Sequence, residues 1–261
     1  MFDEELLPRI VERAGAVPTV VRSRTLRTTG IAESNLPERL GDLADGIDGM
    51  PLAYLPGVEG VDLRVTASGV PREQADRMLA DAVVRLRERI GVVAYGEGGD
   101  DLAEIVLDAC RARSLRLGVA ESCTGGLLGA RLTAIPRSSD VVLGGVIAYA
   151  NDVKRELLGV KAETLAACGA VSEEVALEMA CGARRVTGAE IGIGITGVAG
   201  PGGGTPEKPV GLVWIAIDIE GNRFSRSARF LGDRSEVRFR ATQTALDMVR
   251  RALSAPLSAP G

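Results

Sequence analysis

Between an apolar segment and a glycine pair stands the run Glu121-Ser122-Cys123-Thr124-Gly125-Gly126. Two nucleophilic side chains, Ser122 and Cys123, sit in it side by side. The chain contains no histidine, so an attacking serine must lose its proton to something other than imidazole. A lysine held neutral is such a base, and burial or neighbouring cations make it neutral. Of 31 basic residues only three are lysine: Lys154, Lys161 and Lys208. In a chain that otherwise uses arginine, a lysine marks a place where losing a proton can matter. Lys154 lies in the run Tyr149-Ala150-Asn151-Asp152-Val153-Lys154, which makes Tyr149 and Lys154 candidates for a relay that deprotonates Ser122. Three blander readings stand beside this one. Ser122 or Thr124 caps the next helix, Lys154 pairs with an acidic neighbour on a helix surface, or Cys123 is the attacking atom, its thiol acidified by a helix N-terminus.

Two further stretches carry ligand-binding residue types. In the run 194–211, GITGVAGPGGGTPEKPVG, Thr196, Gly197 and Gly200 follow a strand pattern. That glycine density suits a loop wrapping an anion or a flat ring, or a surface hairpin. It is not a P-loop, since no Gly-Lys-Ser/Thr closes it. In FLGDRSEV, residues 230–237, Asp233 and Ser235 are plausible helix caps and Arg234 falls in the first turn. A cation there opposes the helix dipole, which points to an anionic partner.

The elements that must position these residues follow from hydrophobic period. Residues 19–30 are rich in β-branched residues and read as a strand, and 51–69 as two strands around the Pro56-Gly57 turn. Residues 71–91 form a helix with Met78, Leu79, Ala82, Val83, Leu86 and Ile90 at helical spacing. With a short helix near Leu36–Leu43, capped by Ser34, the order is β-α-β-β-α, a small α+β unit over 16–95. The glycine-rich stretch near 95–99 reads as the boundary. Beyond it, strands at 115–120 and 141–149 and three more toward the C-terminus alternate with helices at 100–113, 126–134, 151–159 and beyond, which predicts a layered α/β domain. The ESCTGG run then joins a strand to a helix N-terminus, where backbone N–H groups of Thr124, Gly125 and Gly126 can meet an anion or an oxyanion. Residues 1–15 read as a helix without a strand to pack on, and 253–261 as a disordered tail.

Composition excludes several classes. The net charge of −4, with both signs interspersed, does not suit a nucleic-acid binder. No apolar run reaches the roughly 18 residues of a membrane span, and the N-terminus lacks a signal-peptide pattern. Four cysteines without CxxC spacing and no histidine give no structural zinc site. The expectation is a reduced, cytoplasmic protein without a metal or other cofactor.

Taken together, ESCTGG, the Tyr149/Asn151/Lys154 spacing, GAVSEE at 169–174, ITGVAGPGGGTPEKPVG at 195–211 and GDR at 232–234 resemble the CinA family, in its C-terminal nicotinamide-nucleotide amidohydrolase (PncC-type) domain, over about 98–252. The resemblance implies hydrolysis of the carboxamide of nicotinamide mononucleotide to nicotinic acid mononucleotide and ammonia. It implies Ser122 as nucleophile, a Lys154/Tyr149 relay, and a substrate held by Thr124, Gly125, Gly126, Asn151, Thr196, Gly197, Gly200 and Arg234. Residues 24–34, RTLRTTGIAES, and the β-α-β-β-α order resemble the family's KH-like middle domain. GVEG at 57–60 falls between strands rather than between helices, so RNA binding is not expected. Full-length members carry a further N-terminal domain linked to ADP-ribose pyrophosphatase activity, of which 1–15 would be the last helix. That activity, or nucleotide binding without turnover as a competence or repair accessory, is the alternative. The family also suggests a homodimer.

Overall fold

The computed structural model of the protein describes residues 18–254. The helix expected over 1–15 and the tail from 255 onward lie outside them. The chain divides into two compact units after Asp100.

The first unit is β1 (Thr19–Thr28), α1 (Leu36–Leu40), β2 (Gly46–Ile47), β3 (Met50–Pro56), β4 (Val61–Pro71), α2 (Arg72–Ile90) and β5 (Ala94–Glu97). They form an antiparallel sheet of order β2-β3-β4-β1-β5. In β4 the alternating Val61, Leu63, Val65 and Ala67 are buried, and they pack with Leu79, Ala82, Val83, Leu86 and Ile90 of α2 in one core. This is the pattern of a sheet with one covered face. Two local expectations change. The stretch read as a boundary contains β5, which pairs with β1 through Leu26↔Glu97 and Arg27↔Gly96. Glycine punctuation concealed it, because its stability comes from a partner almost seventy positions away. Ser34 caps nothing; its hydroxyl bonds the Asn35 side chain.

The second unit is α3 (Leu102–Ala112), β6 (Leu117–Glu121), α4 (Leu127–Thr133), β7 (Val142–Ile147), α5 (Asn151–Glu156), α6 (Ala162–Cys168), α7 (Glu173–Thr187), β8 (Ile191–Gly197), β9 (Leu212–Ile219), β10 (Asn222–Arg229) and α8 (Arg234–Ser254). The sheet order is β10-β9-β8-β6-β7, with β7, β6 and β8 parallel and β9 and β10 antiparallel. Helix α7 crosses β6, β8 and β9 on one face; α8 packs on β8 and β9 and against α3 on the other. The run IGIGI of β8 explains how α7 sits so close. Its isoleucines point one way and are buried, while a Cβ on Gly192 or Gly194 would fall 2.0 or 2.3 Å from the carbonyl oxygens of Ala180 and Ala176 in α7. Ser172 Oγ caps α7, accepting the Val175 N–H at 3.4 Å, and at α8 Asp233 is the cap of the two expected, Ser235 lying within the helix. There Asp233 and Glu236 exchange side-chain and backbone bonds, both 2.9 Å, as a capping box. Helix α8 runs through Ser254, two residues into the expected tail.

Candidate functional site

The parallel strands β6, β7 and β8 end on one edge of the second sheet, and the chemistry-bearing runs leave from that edge. Two backbone bonds fix the start of the nucleophile turn: Ser122 N–H donates to Ile195 O at 2.9 Å, and Ala148 N–H donates to Glu121 O at 2.8 Å. Ala148 is thus held against β6 on its N–H side. On its other side its carbonyl receives the Lys154 amine at 2.7 Å.

Lys154 sits one turn into α5, which starts directly after β7 at Ala150, its N-cap. Neither Asn151 nor Asp152 caps that helix; Asn151 is its exposed first residue. The Lys154 side chain runs inward and is 1% exposed. Its Nζ lies 3.1 Å from Ser122 Oγ, 2.7 Å from Ala148 O and 3.4 Å from Tyr149 O. No carboxylate is among these partners. Burial therefore acts without an opposing anion and lowers the amine below its ordinary 10.5, with only the neighbouring Cys123 thiol raising it. A neutral amine has two N–H groups for the two carbonyls and a lone pair for the serine proton. The surface ion pair that Lys154 could have made does not exist.

Cys123 is buried as well. Its thiol is pushed up to about 12, first by burial and further by the Glu121 carboxylate. A thiol in that state carries little thiolate at neutral pH, which separates it from the serine as an attacking atom.

Helix α4 begins at Gly126, whose φ of +93° is its N-cap conformation. Neither Ser122 nor Thr124 caps it. The cap comes from Glu121, a residue that local sequence reading passed over, whose carboxylate accepts the N–H groups of Gly126, Leu128 and Gly129 at 3.0, 3.1 and 2.8 Å. Gly125 N–H bonds Ser122 O at 3.1 Å and Leu127 N–H bonds Thr124 O at 3.3 Å. Of the N–H groups from Ser122 to Gly129, those of Cys123 and Thr124 donate to no other residue among the described ones, that of Cys123 meeting its own thiol. The donors expected from Thr124 through Gly126 are accordingly reduced to Thr124, joined by Cys123. The fully buried Thr124 hydroxyl likewise has no partner, while the Thr124 carbonyl is clasped by Arg238 of α8 at 3.1 and 2.7 Å.

A second group of predicted residues forms a rim. Arg234, the first residue of α8, donates to Gly200 O at 2.7 Å and to the Tyr149 hydroxyl at 3.0 Å. It ties the glycine-rich segment to the residue after Ala148. The Tyr149 ring is exposed, and its hydroxyl bonds neither Lys154 nor Ser122; only its carbonyl reaches the amine. Gly200 has φ +82°, and a Cβ there would meet Val210 Cγ1 at 2.6 Å. Gly197 ends β8 against β9, and the Thr196 hydroxyl is engaged internally, donating to Ala170 O at 2.7 Å.

The structure thus joins Ser122 to Lys154 directly, with Thr124 in the same turn, and links Tyr149, Gly200 and Arg234 through a second set of bonds that the Tyr149 carbonyl connects to the amine. Glu121 and Arg238 carry the one signal available beforehand, charge beside a helix end; their targets are backbone groups that no spacing rule names. Among the described residues, no three His, Cys, Asp or Glu side chains are placed to hold a metal ion, and no helix is long and apolar enough to cross a membrane.

Two family models match: the CinA C-terminal domain over residues 99–253 and the damage-inducible protein CinA KH domain over 23–96. A CinA-like protein of Gemmatimonas aurantiaca is 57% identical over 254 residues, 97% of this chain and 59% of that protein. A CinA-like protein of Salinibacter ruber is 43% identical over 255 residues, 97% of this chain and 61% of that one. The chain spans about three fifths of the length of these relatives. Among solved structures, the competence/damage inducible protein CihA from Agrobacterium tumefaciens is 44% identical with a TM-score of 0.57, covering 59% of this chain and 94% of its own. A competence-damaged protein (CinA) superfamily protein from Escherichia coli is 33% identical with a TM-score of 0.57, covering 63% of this chain and 98% of its own.

Proposed function

The chain belongs to the CinA family, and from that premise we propose that its second unit is an amidohydrolase that cleaves the carboxamide of nicotinamide mononucleotide. The observation that carries this reading is the 3.1 Å contact between Ser122 Oγ and the buried, carboxylate-free amine of Lys154. Ser122 Oγ attacks the carboxamide carbon while its proton passes to the Lys154 lone pair. The N–H groups of Cys123 and Thr124 receive the oxyanion. When the C–N bond breaks, Lys154 returns the proton to the leaving nitrogen and ammonia departs. Water then attacks the acyl-serine ester, giving its proton to Lys154. The ester C–O bond breaks, Ser122 Oγ is reprotonated from Lys154, and nicotinic acid mononucleotide leaves.

Besides substrate and water, this sequence uses the chain's own groups. The proton moves directly between Ser122 and Lys154, because the Tyr149 hydroxyl is bonded to Arg234. Tyr149 is therefore assigned to the substrate rim with Gly200 and Arg234. Arg234 takes the phosphate, consistent with a cation whose present partners are a carbonyl and a phenol rather than a carboxylate. Gly125 and Gly126, at φ +59° and +93°, supply the left-handed backbone of the nucleophile turn, whereas a Cβ on Gly197 would meet Leu212 O of β9 at 2.6 Å.

The test is ammonia release from nicotinamide mononucleotide compared with nicotinamide. Turnover of the mononucleotide, strongly preferred and abolished in Ser122→Ala, is the expected result. Undiminished turnover in that variant removes the nucleophile. Equal rates on both amides remove the phosphate subsite.

A further inference from the structure

One buried charge takes no part in that chemistry. Glu121 is the last residue of β6 and 1% exposed. Its partners are the three backbone N–H groups at the start of α4: Oε2 takes those of Gly126 and Leu128, and Oε1 takes that of Gly129. The same residue's carbonyl is fixed to Ala148, which also receives Lys154. A single residue therefore fastens both ends of the five-residue path from β6 to α4, its main chain at the start and its side chain at the finish.

We propose that Glu121 is the positioning residue of the nucleophile turn. It closes the segment 122–126 into one shape, and it silences the three donors at the head of α4. Cys123 and Thr124 are then the N–H groups beside Ser122 that stay available to a carbonyl oxygen. Without the carboxylate, the N–H groups of Gly126, Leu128 and Gly129 would draw the turn, water or the substrate carbonyl toward themselves. The reacting oxygen would lose its fixed address. A negative charge next to an oxyanion would ordinarily oppose catalysis; here it is already engaged by charge-assisted bonds to the positive end of a helix. Glu121 acts through the turn and does not touch the reacting atoms. This inference rests on the amidase reading for its kinetic consequence, and on the three bonds alone for its structural one.

Glu121→Gln separates the two. Glutamine keeps the volume but presents one acceptor oxygen, and its NH2 faces at least one N–H donor. In the resting protein, amide hydrogen exchange at Gly126, Leu128 and Gly129 is expected to be slow in the wild type and faster in Glu121→Gln, with exchange in β8 unchanged. In the ammonia assay, kcat is expected to fall roughly 10- to 100-fold with KM near the wild-type value. Glu121→Ala, which removes every acceptor, falls further than Glu121→Gln. Wild-type kcat in Glu121→Gln, a change confined to KM, or unaltered exchange at the three amides would each overturn the proposal. So would a Glu121→Gln chain that does not fold, since that assigns the residue to stability. A wild-type chain that releases no ammonia sinks the amidase reading instead, and the exchange measurement then judges the role of Glu121 by itself.

Discussion

At the scale of residues, the central feature is a lysine treated as a small apolar residue would be. Lys154 is inside, its stem packed and its amine given two carbonyls and a hydroxyl. Burial disfavours the charged form, so its value lies below 10.5. The amine must be neutral to accept the serine proton. Activity should therefore rise with pH through the lowered Lys154 value and level off before the range where free lysine titrates. A kcat/KM profile whose rising limb centres at or above 10.5 would contradict the assignment. Stability follows the same sign. Between the lowered value and 10.5 the unfolded chain binds a proton that the folded chain does not, so folding should gain stability as pH rises through that window. Denaturant midpoints of wild type and Lys154→Met, compared across it, should diverge in the wild type's favour. Lys154→Arg keeps a charge that cannot be shed and should be inactive. Tyr149→Phe tests the rim: it should raise KM, through a loosened Arg234, and leave kcat nearly unchanged. A collapse of kcat would return Tyr149 to the proton path.

At the scale of elements, the site depends on how closely α7 lies on β8. The alternation of isoleucine and glycine lets one face of that strand carry bulk while the other admits a helix backbone. Gly194→Ala would set a methyl 2.3 Å from Ala176 O and 2.6 Å from Ala180 N, both main-chain atoms that cannot turn aside. The expected cost is about 1–3 kcal/mol, read as a lower urea midpoint. Gly202→Ala, where the same methyl meets nothing within 4 Å, is the control and should leave the midpoint in place. Because β8 also holds the Ser122 N–H through Ile195 O, activity in Gly194→Ala should decline before the fold is lost. The far end of the same strands has its own clamp. Arg116, just before β6, binds the Glu190 carboxylate, just before β8, through two guanidinium nitrogens at 3.2 and 2.9 Å, and holds it at about 2.

At the scale of the whole molecule, each unit carries hydrophobic clusters of its own. One runs from Leu26 to Ala94 in the first unit; in the second, one begins at Ala120 and another at Ala176. Every residue given a part in the chemistry lies between Glu121 and Arg238. A chain of residues 98–254 should therefore fold alone and match the longer chain in the ammonia assay. Loss of activity with retained folding, measured by circular dichroism beside the ammonia assay, would show that the first unit contributes to the site.

Local pattern alone determined much of this protein. The order of the second unit, and that of the first apart from β2 and β5, follows from apolar periods of two and 3.6, which arise within a few residues of chain. Ser122 and Lys154 were singled out because a histidine-free chain that favours arginine offers a serine few bases, and the structure brings the two within 3.1 Å. The limits of that reading are equally physical. Strand β5 hides among glycines because its bonds go to β1. The cap of α4 is Glu121, the residue with which β6 ends one position beyond the expected strand, not the serine or threonine beside the helix. The Tyr149 hydroxyl turns to Arg234, 85 positions away, rather than to the lysine five positions on. Which donors stay free, which carboxylate closes the turn and where a phenol points are settled by groups distant in sequence competing for the same few atoms, and only the packed sheet decides that competition.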